Sequence, residues 1–286
     1  MTKYSFIEHS KECNLKIQFI LIGLAGWALA ACSPSPTQLK KAMKEHPDIV
    51  FSAIKADPSG FFAAVEKAQS EAHKVQLDQA LGQDIQKVES ELKNPQTVKI
   101  SANRAIWGSA NAPVTIVEWA DFNCGHCQQE QSVLQKIMAN YSGKVRIVYK
   151  ELPILAPESK VAAQYMEALA MQNNAQALQF HDLIFANQDK FRMEGDQYLK
   201  RAVKNVGANL FKVEQAARSA KVKKRIADDQ AEAKKFGITG TPGFAINGAI
   251  VNGSYPYEFF RRVIDHILKS APAGATPAEA PSSKSS

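Results

Sequence analysis

Cysteine is scarce in this chain of 286 residues, which has only four cysteines, and long apolar runs are lacking. Four cysteines are too few for a disulfide scaffold in a chain of this length, so each one needs its own explanation. The apolar run over residues 17–29 is shorter than the roughly 20 residues that a membrane-spanning helix needs. Apolar residues still form 45% of the chain and charged residues 22%, which excludes a collagen, a wholly disordered chain and a multi-span membrane protein.

The excess of positive charge is local. The formal net charge is +7, from 35 Lys and Arg against 28 Asp and Glu. Residues 198–235 contain eleven Lys or Arg and four Asp or Glu, so this stretch equals the whole excess. We interpret it as a solvated helix face, with anionic lipid or an acidic client as the alternative. A basic stretch in one helical region does not indicate nucleic acid, and no nucleic-acid partner is predicted.

The first 32 residues have the layout of an export signal. Basic residues precede the apolar run 17–29, which is followed by two alanines and then by Cys32. This ending resembles the lipobox of bacterial lipoproteins, and the resemblance implies cleavage before Cys32 and a diacylglycerol group on its sulfur. We therefore expect residues 1–31 to be a lipoprotein signal peptide. The alternatives are an ordinary signal peptide with a cysteine near its end and an uncleaved anchor helix.

Cleavage at this point would leave Cys124 and Cys127 as the only thiols of the mature chain. Cys13 would leave with the signal peptide, and Cys32 would carry the lipid. Lipid explains retention at a membrane without a spanning helix, because each buried methylene group contributes about 0.8 kcal/mol. We therefore expect a lipid-anchored protein of the bacterial cell envelope that faces the oxidising periplasm.

After a predicted tether, residues 32–36, the pattern is helical over residues 37–93. Asp57 as N-cap and Pro58 at the first helical position indicate one helix start. Two sets of apolar residues follow at steps of three and four: Phe61, Val65, Ala68, Ala72 and Val75, then Leu77, Leu81, Ile85, Val88 and Leu92. A long helix cannot bury so narrow a stripe alone, so we predict an oligomerisation segment that makes a homodimer. Packing against the chain's own domain is the alternative.

The next part of the chain alternates between strand and helix patterns. β-branched and apolar runs predict strands at 98–100, 114–119 and 145–149. Helical sequence runs from Cys124 to about Tyr141. A strand, a helix and a strand in this order require a right-handed parallel crossover, which indicates an α/β fold.

The last third of the chain is predicted to be mainly helical. Residues 157–236 have helical spacing throughout, and an amphipathic helix is predicted over 257–268. Between them, Asn247-Gly248 separates two short apolar runs, which is the strongest short-range signal for a hairpin. Residues 271–286 are Ala, Pro and Ser without an apolar period, and we predict that they are disordered.

The motif Cys-Gly-His-Cys lies between a predicted strand and a predicted helix. A thiolate at a helix N-terminus is stabilised by the helix dipole and by free backbone N–H groups. We expect Cys124, at the tip, to be an exposed nucleophile, and Cys127, one turn along, to be a buried resolving thiol. His126 can lower the pKa of Cys124 further. Stabilising the thiolate stabilises the reduced form, which makes the Cys124–Cys127 disulfide a stronger oxidant.

Two other interpretations of the motif are weaker. A purely structural disulfide does not suit Cys-x-x-Cys at a helix start, because the ring that it closes is small and reactive. A metal site would obtain only two ligands from this pair, and the chain has no second Cys pair. We predict no metal site and no cofactor other than the redox-active disulfide of Cys124 and Cys127.

Residues 112–127 and 237–244, the latter followed by Asn247-Gly248, resemble the DsbA-like branch of the thioredoxin superfamily. The resemblance extends over about residues 98–269. It implies a thioredoxin-like fold with an inserted helical domain at about 157–236, preceded here by the N-terminal helical segment. It also implies thiol:disulfide oxidoreductase activity without a bound cofactor.

The same resemblance assigns roles to single residues. Pro242 would be cis and lie beside the cysteine pair, and the backbone of Thr241 would pair with an extended client peptide. Glu118 would be the buried acid below the site that relays a proton for Cys127, with an exposed strand position as the alternative. Lys150 is a candidate ion-pair partner of Glu118.

Two departures from DsbA itself bear on the activity. Gly125-His126 stands between the cysteines where DsbA commonly has Pro-His, and this pair is similar to eukaryotic protein disulfide isomerase. Thr241 before the proline is similar to the dimeric periplasmic isomerases DsbC and DsbG. We therefore expect an enzyme that introduces and isomerises disulfides in exported cysteine-containing proteins, reset by a membrane partner of DsbB or DsbD type. A chaperone or surface-interaction lipoprotein that works through residues 37–93, and a copper-handling protein, are the alternatives.

Overall fold

The computed structural model of the protein describes residues 35–270. The predicted signal peptide, the predicted lipidation residue Cys32, most of the predicted tether and the tail 271–286 lie outside these residues. In chain order the elements are α1 (Pro36–Glu45), α2 (Pro47–Ala56), α3 (Pro58–Glu91), β1 (Ile106–Gly108), β2 (Val114–Ala120), α4 (Gly125–Asn140), β3 (Val145–Glu151), α5 (Pro157–Gln172), α6 (Asn174–Ala186), α7 (Gln188–Glu194), α8 (Asp196–Asn205), α9 (Leu210–Ala217), α10 (Ala220–Lys235), β4 (Gly243–Ile246), β5 (Ala249–Asn252) and α11 (Tyr257–Ser270).

Proline begins each of the first three helices. The Ser35 side chain caps α1, so residue 36 of the predicted tether belongs to a helix. The helix start expected at Pro58 is present, because the Asp57 carboxylate accepts from the Gly60 N–H at 2.9 Å. Proline at a first helical position lacks only an N–H that would have no partner in the helix, so these starts are stable.

The chain divides into two compact units between Gln76 and Leu77, within α3. In the first unit, α1 and α2 bury no residue. In the second unit, the α3 residues Leu81, Ile85 and Val88 are buried in the main apolar core. The second apolar set of the long helix therefore packs within its own unit. This agrees with the alternative prediction, packing against the chain's own domain, for that part of the helix.

A five-stranded sheet forms the centre of the second unit, in the order β1-β3-β2-β4-β5. β2 is parallel to β3 and antiparallel to β4, and α4 connects the parallel pair, so the predicted crossover is confirmed. The predicted strand at 98–100 is wrong. Val98 and Ile100 pack as apolar side chains against one face of the sheet but lie outside its ladders.

The edge strand β1, which the sequence did not indicate, pairs antiparallel with β3. It has only three residues and ends at Gly108, whose φ is +105°. A Cβ there would lie 2.6 Å from the Val145 carbonyl oxygen, so this close approach requires glycine.

The predicted hairpin joins β4 and β5. Asn247 and Gly248 have φ values of 46° and 91°, the left-handed pair of a tight hairpin turn. The Asn247 side chain also accepts from the Thr115 N–H at 2.7 Å and donates to the Pro113 carbonyl at 3.1 Å. The turn therefore ties the hairpin to the start of β2.

Alternation along β2 and β3 assigns their side chains to two faces of the sheet. Ile116 and Glu118 lie on the face that α4 covers, and Trp119 lies on the opposite face. On β3, Tyr149 shares the face of Glu118, and Lys150 shares the face of Trp119, with its Nζ 5.3 Å from that ring. Lys150 is thus one residue away from Tyr149, the register neighbour of Glu118, and its side chain points to the other face of the sheet.

The expected ion pair of Lys150 with Glu118 is therefore wrong. Lys150 lies within β3 and forms ion pairs with Glu232 and, at 3.6 Å, with Asp229, both on α10. Glu118 and Lys150 lie on opposite faces because strand neighbours in register differ by one position.

The helical insert α5–α10 is attached to the sheet through buried charges. Arg104 donates to both carboxylate oxygens of Asp229, at 2.5 and 2.6 Å, and to Glu167 at 2.6 Å. Arg225 reaches the other oxygen of Glu167 at 2.5 Å. Because each buried charge here has a partner of opposite sign, the cluster avoids the penalty of several kcal/mol that an unpaired buried charge carries.

Within residues 35–270, no helix combines the length and the apolar character that crossing a bilayer needs. The basic stretch 198–235 lies on α8–α10, and its lysines Lys221, Lys223 and Lys224 are exposed. Arg225 of the same stretch belongs to the buried cluster instead.

Candidate functional site

The cysteine motif begins where β2 has ended, and Asp121 shapes the turn between them. The Asp121 carbonyl accepts from the Cys124 N–H at 2.9 Å. Its carboxylate accepts from the backbone N–H of Asn123 at 2.8 Å, and from those of Ile154 and Leu155 at 2.8 and 2.9 Å. Cys124 is thereby fixed as the N-cap residue of α4, with extended backbone angles.

The helical insert holds the same turn from the other side. The Gln188 amide, fully buried at the start of α7, donates to the carbonyls of Phe122 and Cys124, each at 2.9 Å. Arg192, one turn further along α7, donates to the carbonyl of Asn123 at 2.8 Å. Three consecutive carbonyls therefore have partners on α7, and the insert supports the motif directly.

Sequence analysis missed Asp121, Gln188 and Arg192. Asp121 stands next to the motif, and its position before a helix start is the signal that could have identified it. Gln188 and Arg192 are more than sixty positions away from the carbonyls that they bind, and no local pattern marks them.

The two cysteines are thiols in this structure and are covered to different degrees. Cys127 is fully buried, and Cys124 is 6% exposed. Cys124 is thus more covered than its expected exposed position. The cause is the segment before β4, because the Cys124 thiol donates to the Thr241 carbonyl at 3.2 Å.

The environment lowers the pKa of Cys124 to about 5. The largest cause is a hydrogen bond from the Cys127 thiol, and backbone N–H groups at the start of α4, including that of His126, add to it. These donors stabilise the thiolate and outweigh the opposing effect of burial. At neutral pH the sulfur of Cys124 is therefore a thiolate.

Cys127 has the opposite properties. Burial away from water raises its pKa most, and donation to Cys124 and the nearby Glu118 carboxyl raise it further. Cys127 therefore keeps its proton and needs a base before it can act as a nucleophile.

His126 approaches the Cys124 sulfur through its backbone, while its imidazole is exposed. The sequence hypothesis had the ring act on the sulfur. The structure brings the His126 N–H to the sulfur, and the ring is exposed.

Glu118 lies in the core below the cysteines and not on an exposed strand surface. It is fully buried between Tyr149 on β3 and Phe244 on β4, which are its register neighbours. Neither of its carboxyl oxygens has a hydrogen-bond partner of regular geometry among the described residues, and the nearby Gln131 amide donates to the Cys127 carbonyl at 3.2 Å.

Burial is the main reason why the pKa of Glu118 rises to about 8, and the charge of Glu130 contributes next. A buried carboxyl without donors is more stable in its neutral form. Glu118 is therefore protonated at neutral pH and can exchange a proton just above it, which suits a group that accepts the proton of Cys127.

The peptide between Thr241 and Pro242 is cis, as the resemblance implied. Gly243 follows and pairs with Trp119 near the end of β2, which brings the proline segment beside the motif. A Cβ at Gly243 would lie 2.4 Å from Cγ2 of Ile238, so only glycine fits this close approach. The site thus joins the start of α4 to the start of β4.

A five-stranded mixed sheet with a dithiol at the tip of a helix and a cis-proline segment beside it defines a thioredoxin-like fold. A sequence model described as thioredoxin matches residues 100–266, more than half of the chain, and the chain belongs to this family. Solved structures of DsbA-like proteins share the fold. The expected fold class, a thioredoxin-like fold with an inserted helical domain, is confirmed.

Three similar proteins illustrate the range of relatives. The Na(+)/H(+) antiporter NhaA 3 of Salinispora tropica is 31% identical over 166 residues, which are 57% of this chain and 24% of the antiporter. The probable disulfide bond formation protein D of Bacillus cereus is 28% identical over 171 residues, 57% of this chain and 77% of that protein. A solved thioredoxin-like oxidoreductase from Silicibacter pomeroyi is 27% identical with a TM-score of 0.54, covering 60% of this chain and 95% of that one.

The alignment covers about a quarter of the length of the antiporter relatives. The similarity to them therefore concerns one part of those proteins. It reaches most of the length of the disulfide bond formation protein and of the solved oxidoreductase.

Exchanging Cys127 tests the origin of the low pKa of Cys124. We expect the thiolate absorbance of the reduced protein to titrate near pH 5. Cys127→Ala removes the main donor, so the midpoint should rise, whereas Cys127→Ser keeps a donor and should stay closer to the wild type. Ultraviolet absorbance against pH, with Cys124→Ser as the blank, measures this. An unchanged midpoint in Cys127→Ala would contradict the assigned role of the Cys127 thiol.

Glu118 should make stability fall as the pH rises. The ordinary pKa of 4.5 applies to the unfolded chain and about 8 to the folded one, so the stabilisation is complete below 4.5 and is lost as the pH rises through 8. Glu118→Gln should remove the Glu118 part of this slope, while Glu130 keeps its own. The stability of Glu118→Gln relative to the wild type should therefore increase by on the order of 4 kcal/mol from about pH 5 to pH 9. Urea unfolding at several pH values measures it, with the exposed Glu158→Gln as control. Parallel curves for wild type and Glu118→Gln would refute the assignment.

Proposed function

We propose that the protein is a thiol:disulfide oxidoreductase that introduces and isomerises disulfides in exported proteins through Cys124 and Cys127. The observation that carries this proposal is the contrast between two hydrogen-bonded thiols at one helix start, one with a pKa of about 5 and the other with a strongly raised pKa. The names of the related disulfide bond formation protein and of the solved oxidoreductase agree with it.

In the oxidising direction a client thiolate attacks Sγ of Cys124 in the Cys124–Cys127 disulfide. The sulfur–sulfur bond breaks, Cys127 leaves as a thiolate and takes a proton from Glu118, and a mixed disulfide forms. A second client thiolate then attacks its neighbour's sulfur, the client disulfide forms, and Cys124 leaves as a thiolate. Two electrons pass from the client to the cysteine pair, so no other cofactor is needed.

The pKa of Cys124 favours this direction. A thiolate of low pKa is a good leaving group, and its stability favours the reduced protein, which makes the disulfide more oxidising. The protein then needs an electron acceptor to reset the pair, and we assign this to a membrane redox partner of DsbB or DsbD type.

Isomerisation uses the same atoms in the opposite order. The Cys124 thiolate attacks a wrong disulfide of the client, and the freed client thiolate attacks another sulfur of the same chain. Cys127 releases the client if this exchange stalls, by attacking the mixed disulfide after Glu118 has accepted its proton.

Thr241 and Pro242 are the proposed client-binding residues. The Thr241 carbonyl lies 3.2 Å from the Cys124 sulfur and accepts from it only while Cys124 is protonated. Once Cys124 is a thiolate this carbonyl is left without that donor, so the backbone of a client peptide next to Cys124 can pair with it. Exposed apolar side chains lie near the turn that carries the cysteine motif, since Ile154 and Leu155 bind Asp121 through their backbone and are 46% and 55% exposed. An unfolded client offers both an extended backbone and apolar side chains.

The envelope location and the lipid anchor at Cys32 complete the proposal. They depend on the export pattern of residues 1–31, and an oxidising compartment suits a protein that donates disulfides. A lipid on Cys32 would keep the site near a membrane redox partner.

We also propose that the protein self-associates as a homodimer through the first part of residues 37–93. Apolar side chains on these helices are exposed in the single chain: Leu39, Met43, Ile49, Phe51, Phe61, Phe62 and Val75. Covering such side chains in water is favourable, and a second copy offers the same surface. Two linked sites would hold one client at two points.

Cys124→Ser should abolish both insulin reduction and the refolding of reduced ribonuclease, because the remaining sulfur of the pair, Cys127, is fully buried and keeps its proton. Cys127→Ser should instead form mixed disulfides that persist, since the resolving thiol is gone. Gel electrophoresis of alkylated samples and the two activity assays measure these outcomes.

Full activity of Cys124→Ser in both assays would refute the proposal. Suppression of client aggregation by Cys124→Ser, lost when residues 37–76 are removed, would indicate a chaperone. Tight binding of one Cu(I) without thiol exchange would indicate a copper-handling protein.

Phe51→Ser together with Phe62→Ser should weaken self-association, because these rings are 65% and 63% exposed in the single chain. Sedimentation at micromolar concentration should change from dimer to monomer. Phe211→Ser, at a ring in the second unit that is 74% exposed, is the matched control and should leave the dimer intact. A wild-type protein that sediments as a monomer would remove the dimer from the proposal.

A further inference from the structure

Glu130 is a second buried acid near the cysteines, and none of the roles described above uses it. It lies on α4 three residues after Cys127, so both side chains are on one face of the helix. It is 2% exposed, and its Oε1 atom is buried without a hydrogen-bond partner among the described residues. Buried carboxyl oxygens normally have partners, so this one needs an explanation.

The groups around Glu130 come from three elements. Its carboxyl meets the Ser254 hydroxyl and the Tyr255 N–H in the loop before α11, while Asp84 of α3 is near Tyr255 on the other side. Towards the sheet it faces Glu118 of β2. No Lys or Arg appears among the groups that act on it in the described part of the chain.

Further titratable groups face Glu118 and not Glu130 directly. They are Tyr149 of β3 and the thiols Cys124 and Cys127. Of all these groups, Glu118 and Glu130 are the two carboxyls that the site buries without cationic partners.

Two carboxyls in this arrangement cannot both ionise easily. Burial raises the pKa of Glu130 to about 7, and the Glu130 charge is the second cause of the raised pKa of Glu118. Near neutral pH the first proton to leave makes the second harder to remove, so the titrations of the two carboxyls are linked.

We propose that Glu130 is a positioning residue of the redox site, whose buried carboxyl opposes the ionisation of Glu118 and thereby sets the pH at which Cys127 can give up its own proton. The inference rests on the proposed function, because it concerns the step in which Cys127 attacks the mixed disulfide. In that step Cys127 forms a bond to Cys124, the client thiolate leaves, and the Cys127 proton passes to ionised Glu118.

Glu130→Gln tests this with little change in shape. Without the Glu130 charge, Glu118 ionises at lower pH, so the pH profile of mixed-disulfide release should move to lower pH by about half a unit or more. Glu158→Gln also removes one negative charge, but from an exposed side chain on α5, and should leave the profile in place. Rapid quenching and mass spectrometry of the full-length protein loaded with glutathione on Cys124 give the rates.

Carbon-13 NMR of the glutamate carboxyls provides a readout that needs no exchange activity. Because coupling is mutual, Glu118→Gln should lower the titration midpoint of Glu130, and Glu130→Gln should lower that of Glu118. If Glu130→Gln does not fold, the Glu118→Gln arm still decides.

A release profile of Glu130→Gln that coincides with the wild type, or carboxyl midpoints that ignore the partner's removal, would overturn the inference. Wild-type protein that forms no mixed disulfide would refute the proposed function alone, and the NMR titration would then judge the carboxyl pair by itself.

Discussion

The central position of β2 is the constraint on which the site depends. β2 is hydrogen-bonded on both sides, parallel to β3 and antiparallel to β4, so its register is fixed from two directions. Glu118 lies within it, Cys124 follows its end, and the proline segment enters the sheet beside that end. A shift of one residue would move Glu118 to the opposite face and separate the acid from Cys127. The relative positions of Glu118, Cys124 and the proline segment therefore depend on the sheet more than on the loop that carries the cysteines.

Two of the buried groups of ionisable side chains in residues 35–270 differ in how their charge is neutralised. Arg104, Glu167 and Asp229 form a cluster in which the charges are paired, and it fastens the helical insert to the sheet. Within residues 35–270 no Lys or Arg is among the groups that act on Glu118 and Glu130, and burial favours their protonated forms. The first group has a structural role. The second group changes its protonation near neutral pH, a property that a structural role does not require and that is typical of functional sites.

Local patterns predicted much of the fold and of the site, and contacts between distant residues account for the errors. The Cys-Gly-His-Cys helix start and the Asn247-Gly248 hairpin depend on neighbouring residues, so the sequence indicated both. Gln188 binds the motif across sixty-four positions, and no periodicity reveals such a contact. The predicted ion pair of Lys150 with Glu118 was wrong because the two side chains lie on opposite faces of the sheet, and the face of a residue depends on the exact strand register. The segment 98–100 has the composition of a strand but no ladder partner, since β1 occupies the edge.

Between the two cysteines, the backbone of His126 acts on the Cys124 sulfur, whereas its side chain faces the solvent. The pKa of Cys124 is lowered first by a hydrogen bond from the Cys127 thiol, and the backbone N–H groups of His126 and Cys127 add to it. At position 126 any residue except proline supplies such an N–H. His126 therefore acts on the sulfur through its N–H, while its exposed imidazole is open to whatever approaches the site. It follows that the cysteine spacing and the helix start set the charge of Cys124. The exposed side chain at position 126 can differ without removing these hydrogen bonds.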